Sequence, residues 1–360
     1  MNNIYPWQHE IWKTLTQDSA LRSHALLLKG REGTGKFVFA LSLAKFLLCE
    51  KPVASNEACN ECQSCHWFEQ NGHPDFCLIE PEALSRSFDD STTDGPIDVQ
   101  INVELESSNA KSKKKPSKQI GIAQIRALAD LVNMSSYRDG YKIILIHPAE
   151  AMNIAAANAL LKSLEEPSPK TLFLLVAHCS QLLTATIRSR CQQITMPLAE
   201  LTVATSWLKQ QGIKDPENNL ALAGYAPLTA LKLNNSDDDY FNQHQIFIRH
   251  IGAPSTFNPL MLAEEMQKLD ASTTINWLQK WCYDLTSFRA TGKIRYHLSM
   301  LATIKSLVSE IDLRKLVTYS RSLIATQRLS KHPLNARLFL EEALISYAMM
   351  IARSPDKRAE

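Results

Sequence analysis

Residues 25–37, Ala-Leu-Leu-Leu-Lys-Gly-Arg-Glu-Gly-Thr-Gly-Lys-Phe, limit what this chain can fold into more than any other stretch. A short apolar run leads into Gly30-x4-Gly35-Lys36. Phe37, Ala40, Leu41, Ala44, Leu47 and Leu48 then recur at helical spacing. Buried strand, tight turn and helix start, in that order, make a phosphate-binding loop. Its glycines let backbone N–H groups curl around an anion, the helix start adds its positive dipole end, and the lysine reaches the outer phosphates. The last position of such a loop is a Ser or Thr whose hydroxyl helps hold magnesium. Here it is Phe37.

Other segments fit a covered parallel sheet. Residues 142–147 and 172–177 are near-continuous apolar runs, as in strands buried on both faces. Between strands, residues 122–132 place Ile125, Leu128, Ala129 and Val132 on one helical face, with Arg126 off it. Residues 153–166 form an alanine- and leucine-rich helix that stops near Pro167. Ahead of the loop, Pro6, Trp7, Trp12 and Leu15 predict a helix packed beside the first strand. A nucleotide hydrolase of this layout ends its middle strand with acids that hold magnesium and polarise water. This chain has His147-Pro148-Ala149-Glu150 there, so Glu150 comes late, and His147 reads as an ordinary strand-end histidine.

Straight after the loop's helix come Cys49, Cys59, Cys62 and Cys65. Their spacing predicts the closed four-thiolate set of a structural zinc site, a staple with no open position for catalysis. A cubane iron–sulfur cluster calls for a further Cys followed by Pro, where Glu69 and Gln70 stand. His66, His73 and Cys77 are rival fourth ligands.

Residues 82–118 run from a Ser/Asp-rich beginning to Lys111, Lys113, Lys114, Lys115 and Lys118, which predicts a mobile, solvated insertion. A formal net charge of +2 gives no general affinity for nucleic acid. No signal-like start and no apolar run near the ~20 residues of a membrane span are present. The expectation is a cytoplasmic protein with reduced cysteines and no membrane partner.

Several motifs together resemble the bacterial DNA polymerase III clamp loader, most closely its delta prime family. They are Tyr5-Pro6-Trp7-Gln8, the four-cysteine insertion, Asn158-Ala159-Leu160-Leu161-Lys162 with Glu165-Glu166-Pro167, and Ser189-Arg190-Cys191. The resemblance covers roughly residues 1–235 with specific motifs, and the rest only in length and helical character. It implies an AAA+ fold: a RecA-like α/β P-loop domain over 1–198 (zinc module about 49–77, insertion about 82–118), a small helical lid over 199–242, and an α-helical collar for oligomerisation over 243–360. It implies a hetero-oligomeric ring with gamma/tau and delta subunits, and the sliding clamp and primed DNA as partners through that complex. In this family the Ser-Arg-Cys arginine is a finger inserted into the neighbour's ATP site, a role the resemblance carries onto Arg190. Arg188, outside the motif, is its rival.

Departures from the ATPase members all run in one direction. Phe37 replaces the loop hydroxyl and His147-Pro148 the acidic pair. Ala177-His178 stands where gamma-type members carry a sensor threonine, and Leu228 where a lid arginine would fall. They imply a subunit that does not hydrolyse ATP. Gly30, Gly35 and Lys36 remain as a vestigial loop at which ATP binding is not expected. The alternatives are an active ATPase of gamma/tau type that uses an unusual acid, and a zinc-bearing DNA-binding protein acting through the lysine-rich loop. Past residue 199 two amphipathic stretches stand out: 275–290, and 296–353 with Leu298, Leu301, Ile304, Leu307, Val308, Leu338, Leu340, Ala343, Leu344 and Tyr347.

Overall fold

The computed structural model describes residues 4–17, 23–53, 56–84, 116–133, 136–137, 140–235, 240–330 and 335–352. Most of the expected insertion, 85–115, lies outside the described residues, as do 236–239 of the expected lid. The chain divides into two units, 1–203 and 204–360.

In the first unit the apolar runs become strands β1 (Ala25–Lys29), β2 (Phe76–Ile79), β3 (Lys142–Ile146), β4 (Thr171–Ala177) and β5 (Gln192–Thr195). They form one parallel sheet in the order β2–β3–β4–β1–β5. Because side chains alternate across a strand, each apolar run feeds two cores. Leu26, Leu28, Leu145, Leu174 and Val176 face one side, packing with Trp12, Leu15, Phe39, Ala40 and Leu43. Leu27, Ile144, Ile146, Phe173 and Leu175 face the other, against Ile125, Leu128, Ala157, Leu160 and Leu164. Full burial of such a leucine or isoleucine contributes roughly 1.5–3 kcal/mol, which is why the register is fixed.

The helices of this unit are α1 (His9–Thr16), α2 (Lys36–Leu48), α3 (Gln63–Glu69), α4 (Ile122–Asn133), α5 (Ile154–Glu165) and α6 (Ala185–Arg190). Asn153 caps α5 by accepting a hydrogen bond from the Ala156 N–H, and the helix stops two residues before Pro167. On α4, Ile125 and Leu128 are buried and Arg126 is exposed; the side chains of Ala129 and Val132 lie outside the described residues. The strand order places the end of β4 between the loop after β1 and the end of β3. Loop, β4 end and β3 end therefore share the carboxyl edge of the sheet, where ligands of open α/β sheets bind.

The second unit is helical among its described residues. Trp277, Trp281, Phe247 and Tyr347 are fully buried at its centre. Their polar atoms are all used: Trp281 Nε1 donates to the Tyr347 hydroxyl at 2.9 Å, which donates to the Ile251 carbonyl at 2.9 Å, and Trp277 Nε1 meets the Tyr240 hydroxyl at 2.6 Å. The amphipathic text after residue 296 breaks into helices Leu301–Glu310, Leu313–Leu329 and Ala336–Ile351, the last two capped by the side chains of Asp312 and Asn335. Ile304, Leu307, Val308, Leu340, Ala343, Leu344 and Tyr347 join the core as their spacing predicts. Leu298, Leu301 and Leu338 do not: they stand exposed. Leu298 lies in a one-turn 3-10 segment outside the helix Leu301–Glu310, and Leu301 is that helix's first residue, at its open end.

Candidate functional site

At the phosphate loop, Gly33 and Gly35 take the left-handed φ values of 76° and 85° that the turn into α2 requires. The anion-seeking groups are turned onto the protein itself. Lys36 is 2 % exposed; its Nζ donates to the carbonyl of Gly30 at 2.7 Å and to that of Arg31. Burial lowers its pKa to about 8, against the opposing pull of Glu150 and Glu32. The Tyr5–Gln8 segment lies over the loop. Trp7 Nε1 and Gln8 Nε2 both donate to the Thr34 carbonyl, at 3.0 and 2.9 Å, and a Cβ on Gly35 would come within 2.6 Å of the Tyr5 ring.

Phe37, in the hydroxyl's position, stacks on His147 with ring centroids 4.3 Å apart. His147 is also held by Glu80, its Nδ1 lying 2.8 Å from the carboxylate, and meets His178 edge to face at 5.4 Å. An aromatic and imidazole cluster thus occupies the strand ends where a hydrolase keeps carboxylates. Burial, then the nearby Lys36 charge, depress the pKa of His178. Glu150 reaches across to β4: its Oε1 accepts from the N–H of His178 at 2.7 Å and of Cys179 at 2.9 Å, while its buried Oε2 has no hydrogen-bond partner among the described residues. Sequence reasoning passed over Glu80. Its one signal was an acid closing the apolar run 76–79, and only the pairing of β2 with β3 brings it to His147.

The other end of α2 carries the cysteines. Cys49 follows the helix directly and Cys62 caps α3. The sulfurs of Cys49, Cys59, Cys62 and Cys65 all lie within 4.8 Å of one another. The separations are 3.5 Å for Cys49–Cys59 and 4.0 Å for both Cys49–Cys62 and Cys59–Cys65. A tetrahedron with zinc–sulfur bonds of about 2.3 Å has edges of about 3.8 Å, so the donor set fits the ion. Backbone N–H groups also point at sulfur: Cys59 to Cys49 at 3.3 Å, Cys62 to Cys59 at 3.3 Å, and Cys65 to Cys62 at 3.4 Å. Backbone donors, from Glu61 first and then Cys62, lower the Cys59 thiol pKa to about 6, toward the thiolate a metal needs.

The rival ligands are placed elsewhere. His73 Nδ1 accepts from the Asp75 N–H at 3.1 Å and its Nε2 donates to Ser64 Oγ at 2.7 Å; Ser64 passes on to the Leu48 carbonyl at 2.6 Å. Both ring nitrogens are therefore spent bracing α3 against the end of α2. Cys77 lies in β2, its thiol pKa pushed up to about 11 by burial, and His66 is exposed on α3.

Arg190 is the last residue of α6 and stands at the surface, its side chain 34 % exposed. Its guanidinium donates to the Thr186 carbonyl at 3.1 Å and pairs with Glu165 at the end of α5. Arg188 is half-buried, and its Nε has no hydrogen-bond partner among the described residues. In the second unit Leu228 is half-buried, one residue into the helix Pro227–Asn235.

Comparison with known proteins adds to this geometry. A family profile described as DNA polymerase III, delta subunit, matches residues 7–200, and one described as DNA polymerase III, delta subunit, C terminal, matches 239–348. The chain is 32% identical to the DNA polymerase III subunit delta' of Pseudomonas aeruginosa, over 97% of this chain and 99% of that one. It is 31% identical to the subunit of the same name from Haemophilus influenzae, over 69% of this chain and 66% of the other. With the Yersinia pestis subunit the identity is 27%, over 96% and 95%.

Proposed function

Since this chain belongs to the DNA polymerase III delta' subunit family, we propose that it serves the clamp loader as a subunit that does not hydrolyse ATP and lends Arg190 to a neighbour that does. The observation that carries this reading is the closed phosphate loop. Lys36 is bound to the loop's own carbonyls, and Phe37 and His147 stack where magnesium ligands are needed. A lysine tied to two carbonyls reaches a phosphate only by giving both up, and a phenyl ring offers a metal nothing.

Arg190 fits the complementary task. A guanidinium at the end of a surface helix can cross a subunit boundary and stabilise the charge spread over a transferring phosphoryl group, an effect worth on the order of 10³–10⁵ in rate. The partners under this proposal are gamma/tau and delta subunits in a ring, and through the ring the sliding clamp and primed DNA. The lid (199–242) and collar (243–360) supply the remaining ring contacts. Zinc held by Cys49, Cys59, Cys62 and Cys65 is a structural staple: four thiolates fill a tetrahedral shell and leave no position for substrate.

Reconstitution with gamma/tau and delta subunits tests the proposal. Arg190→Ala is expected to leave the ring assembled and to cut DNA-stimulated ATP hydrolysis and clamp loading at least tenfold; unchanged hydrolysis would overturn the finger assignment. The chain alone is expected to turn over no ATP. The buried Oε2 of Glu150, without a hydrogen-bond partner among the described residues, favours the alternative of an active gamma/tau-type ATPase. Turnover by the isolated chain that disappears in both Lys36→Ala and Glu150→Gln would move the reading there.

A further inference from the structure

We infer that Glu165 is a positioning residue for Arg190, fixing the plane of the guanidinium before the neighbouring ATP site is met. The inference rests on the trans-acting role proposed above. Glu165 and Arg190 are the last residues of two packed helices, α5 and α6, and each helix end is itself anchored. Leu164 is buried, and its carbonyl accepts a hydrogen bond from His24 Nε2 at 2.8 Å, just ahead of β1. Ile187, in the middle of α6, is fully buried. The two charged ends therefore meet on a rigid base.

Arginine carries five N–H donors in a planar fork. Glu165 takes one Nη2 proton and the Thr186 carbonyl takes one from Nη1, fixing the plane of the fork from two directions. Three donors are left for a phosphate. An ion pair this exposed, with Glu165 at 49 % and Arg190 at 34 %, does little for the stability of the fold. What it does is remove the rotational freedom of a long side chain in advance, so that a phosphoryl group across the boundary meets a donor already in place. The role needs an acceptor on residue 165 rather than a negative charge.

A double-mutant cycle in the reconstituted ring tests this. Glu165→Ala is expected to lower the DNA-stimulated turnover number about tenfold, with the KM for ATP and ring assembly unchanged. Glu165→Gln keeps a carbonyl acceptor and is expected to retain most of the activity. In an Arg190→Ala background, Glu165→Ala is expected to change nothing further. Full or raised activity in Glu165→Ala, with Arg190→Ala impaired, overturns the positioning role and leaves the finger standing. An equal loss in the Arg190→Ala background overturns it too, because Glu165 then acts apart from Arg190. If Arg190→Ala itself has no effect, the finger reading fails, and the positioning role fails with it.

Discussion

Helix α2 begins at the phosphate loop and ends at the cysteine centre, so one rigid element carries both sites. At its start, donors are satisfied internally: Lys36 on the Gly30 and Arg31 carbonyls, Trp7 and Gln8 on the Thr34 carbonyl. At its end, four sulfurs converge at separations that suit one metal ion, with backbone N–H groups donating to three of them. The two differ in where their parts come from. The cysteine centre draws its donors from residues 49–65 alone, so local chain geometry completes it. A working phosphate site needs groups from β1, the end of β3 and the end of β4, and here those groups have changed. A phosphate-loop motif thus has to be read together with the distant residues folded against it.

The largest expected effect breaks the metal side of this comparison. Cys59→Ser combined with Cys62→Ser should reduce bound zinc from about one per chain to none and expose residues 49–65 to limited proteolysis, since structural zinc contributes on the order of 10 kcal/mol to folding small modules. Wild-type protein free of zinc on elemental analysis would remove the contrast altogether.

Next in size is the packing of the loop. Gly35→Ala adds a Cβ at 2.6 Å from the Tyr5 ring on a residue with φ +85°, whereas Gly212, at φ +83°, has open space around it. Both alanine variants carry a backbone cost of about 1–3 kcal/mol. The excess loss of thermal stability in Gly35→Ala measures how firmly the Tyr5–Gln8 segment is clamped on the loop. Equal losses would mean that it is not.

A smaller effect follows from the buried ammonium. The folded-state pKa of Lys36 is lowered to about 8 from its ordinary 10.5, so between those values the unfolded chain binds more protons. Stability should rise as pH is raised from 8 toward 10.5 and be lost as pH falls back through 8. Lys36→Met should flatten that slope in urea titrations of the first unit. Lys280, also lowered to about 8 by burial, keeps its own slope in the second unit. An unaltered slope in Lys36→Met would show that the ammonium is not held as described.

The smallest change restores the missing hydroxyl. Phe37→Thr removes the stack on His147, costing about 0.5–1.5 kcal/mol in melting experiments. It should gain no ATP turnover, because the acids of the β3 end are still absent. Turnover gained by this one substitution would show that the loop had lacked only its metal ligand.

Much of this was legible from residue order. The apolar runs 142–147 and 172–177 became β3 and β4, and Gly30-x4-Gly35-Lys36 became a strand, turn and helix, because these patterns act over a few residues. The amphipathic pattern beyond residue 296 includes Leu298, Leu301 and Leu338 beside the positions that are buried. These three are exposed for local reasons: Leu298 sits in a 3-10 turn ahead of the helix, Leu301 is the first residue of the helix Leu301–Glu310, and Leu338 falls on the opposite face of Ala336–Ile351 from Leu340, Ala343, Leu344 and Tyr347. Gln8 and Glu165 stand in the motifs of the resemblance and Glu80 closes an apolar run, yet none of them showed its partner, since each acts on a residue that folding alone brings near.

The sequence by itself determined the kind of domain, the four cysteines as a group, and that Phe37 and His147-Pro148 stand where a hydroxyl and acids would, all of which depend on residue identity and short spacing. Only the tertiary structure decided what surrounds those residues. Parallel pairing of β2, β3 and β4 puts Glu80, His147 and His178 together, and the packing of α1 and its preceding turn lays Tyr5 and Gln8 over the loop. Folding therefore turns Lys36 onto the carbonyls of its own loop, and the packing of α5 against α6 brings Glu165 to Arg190.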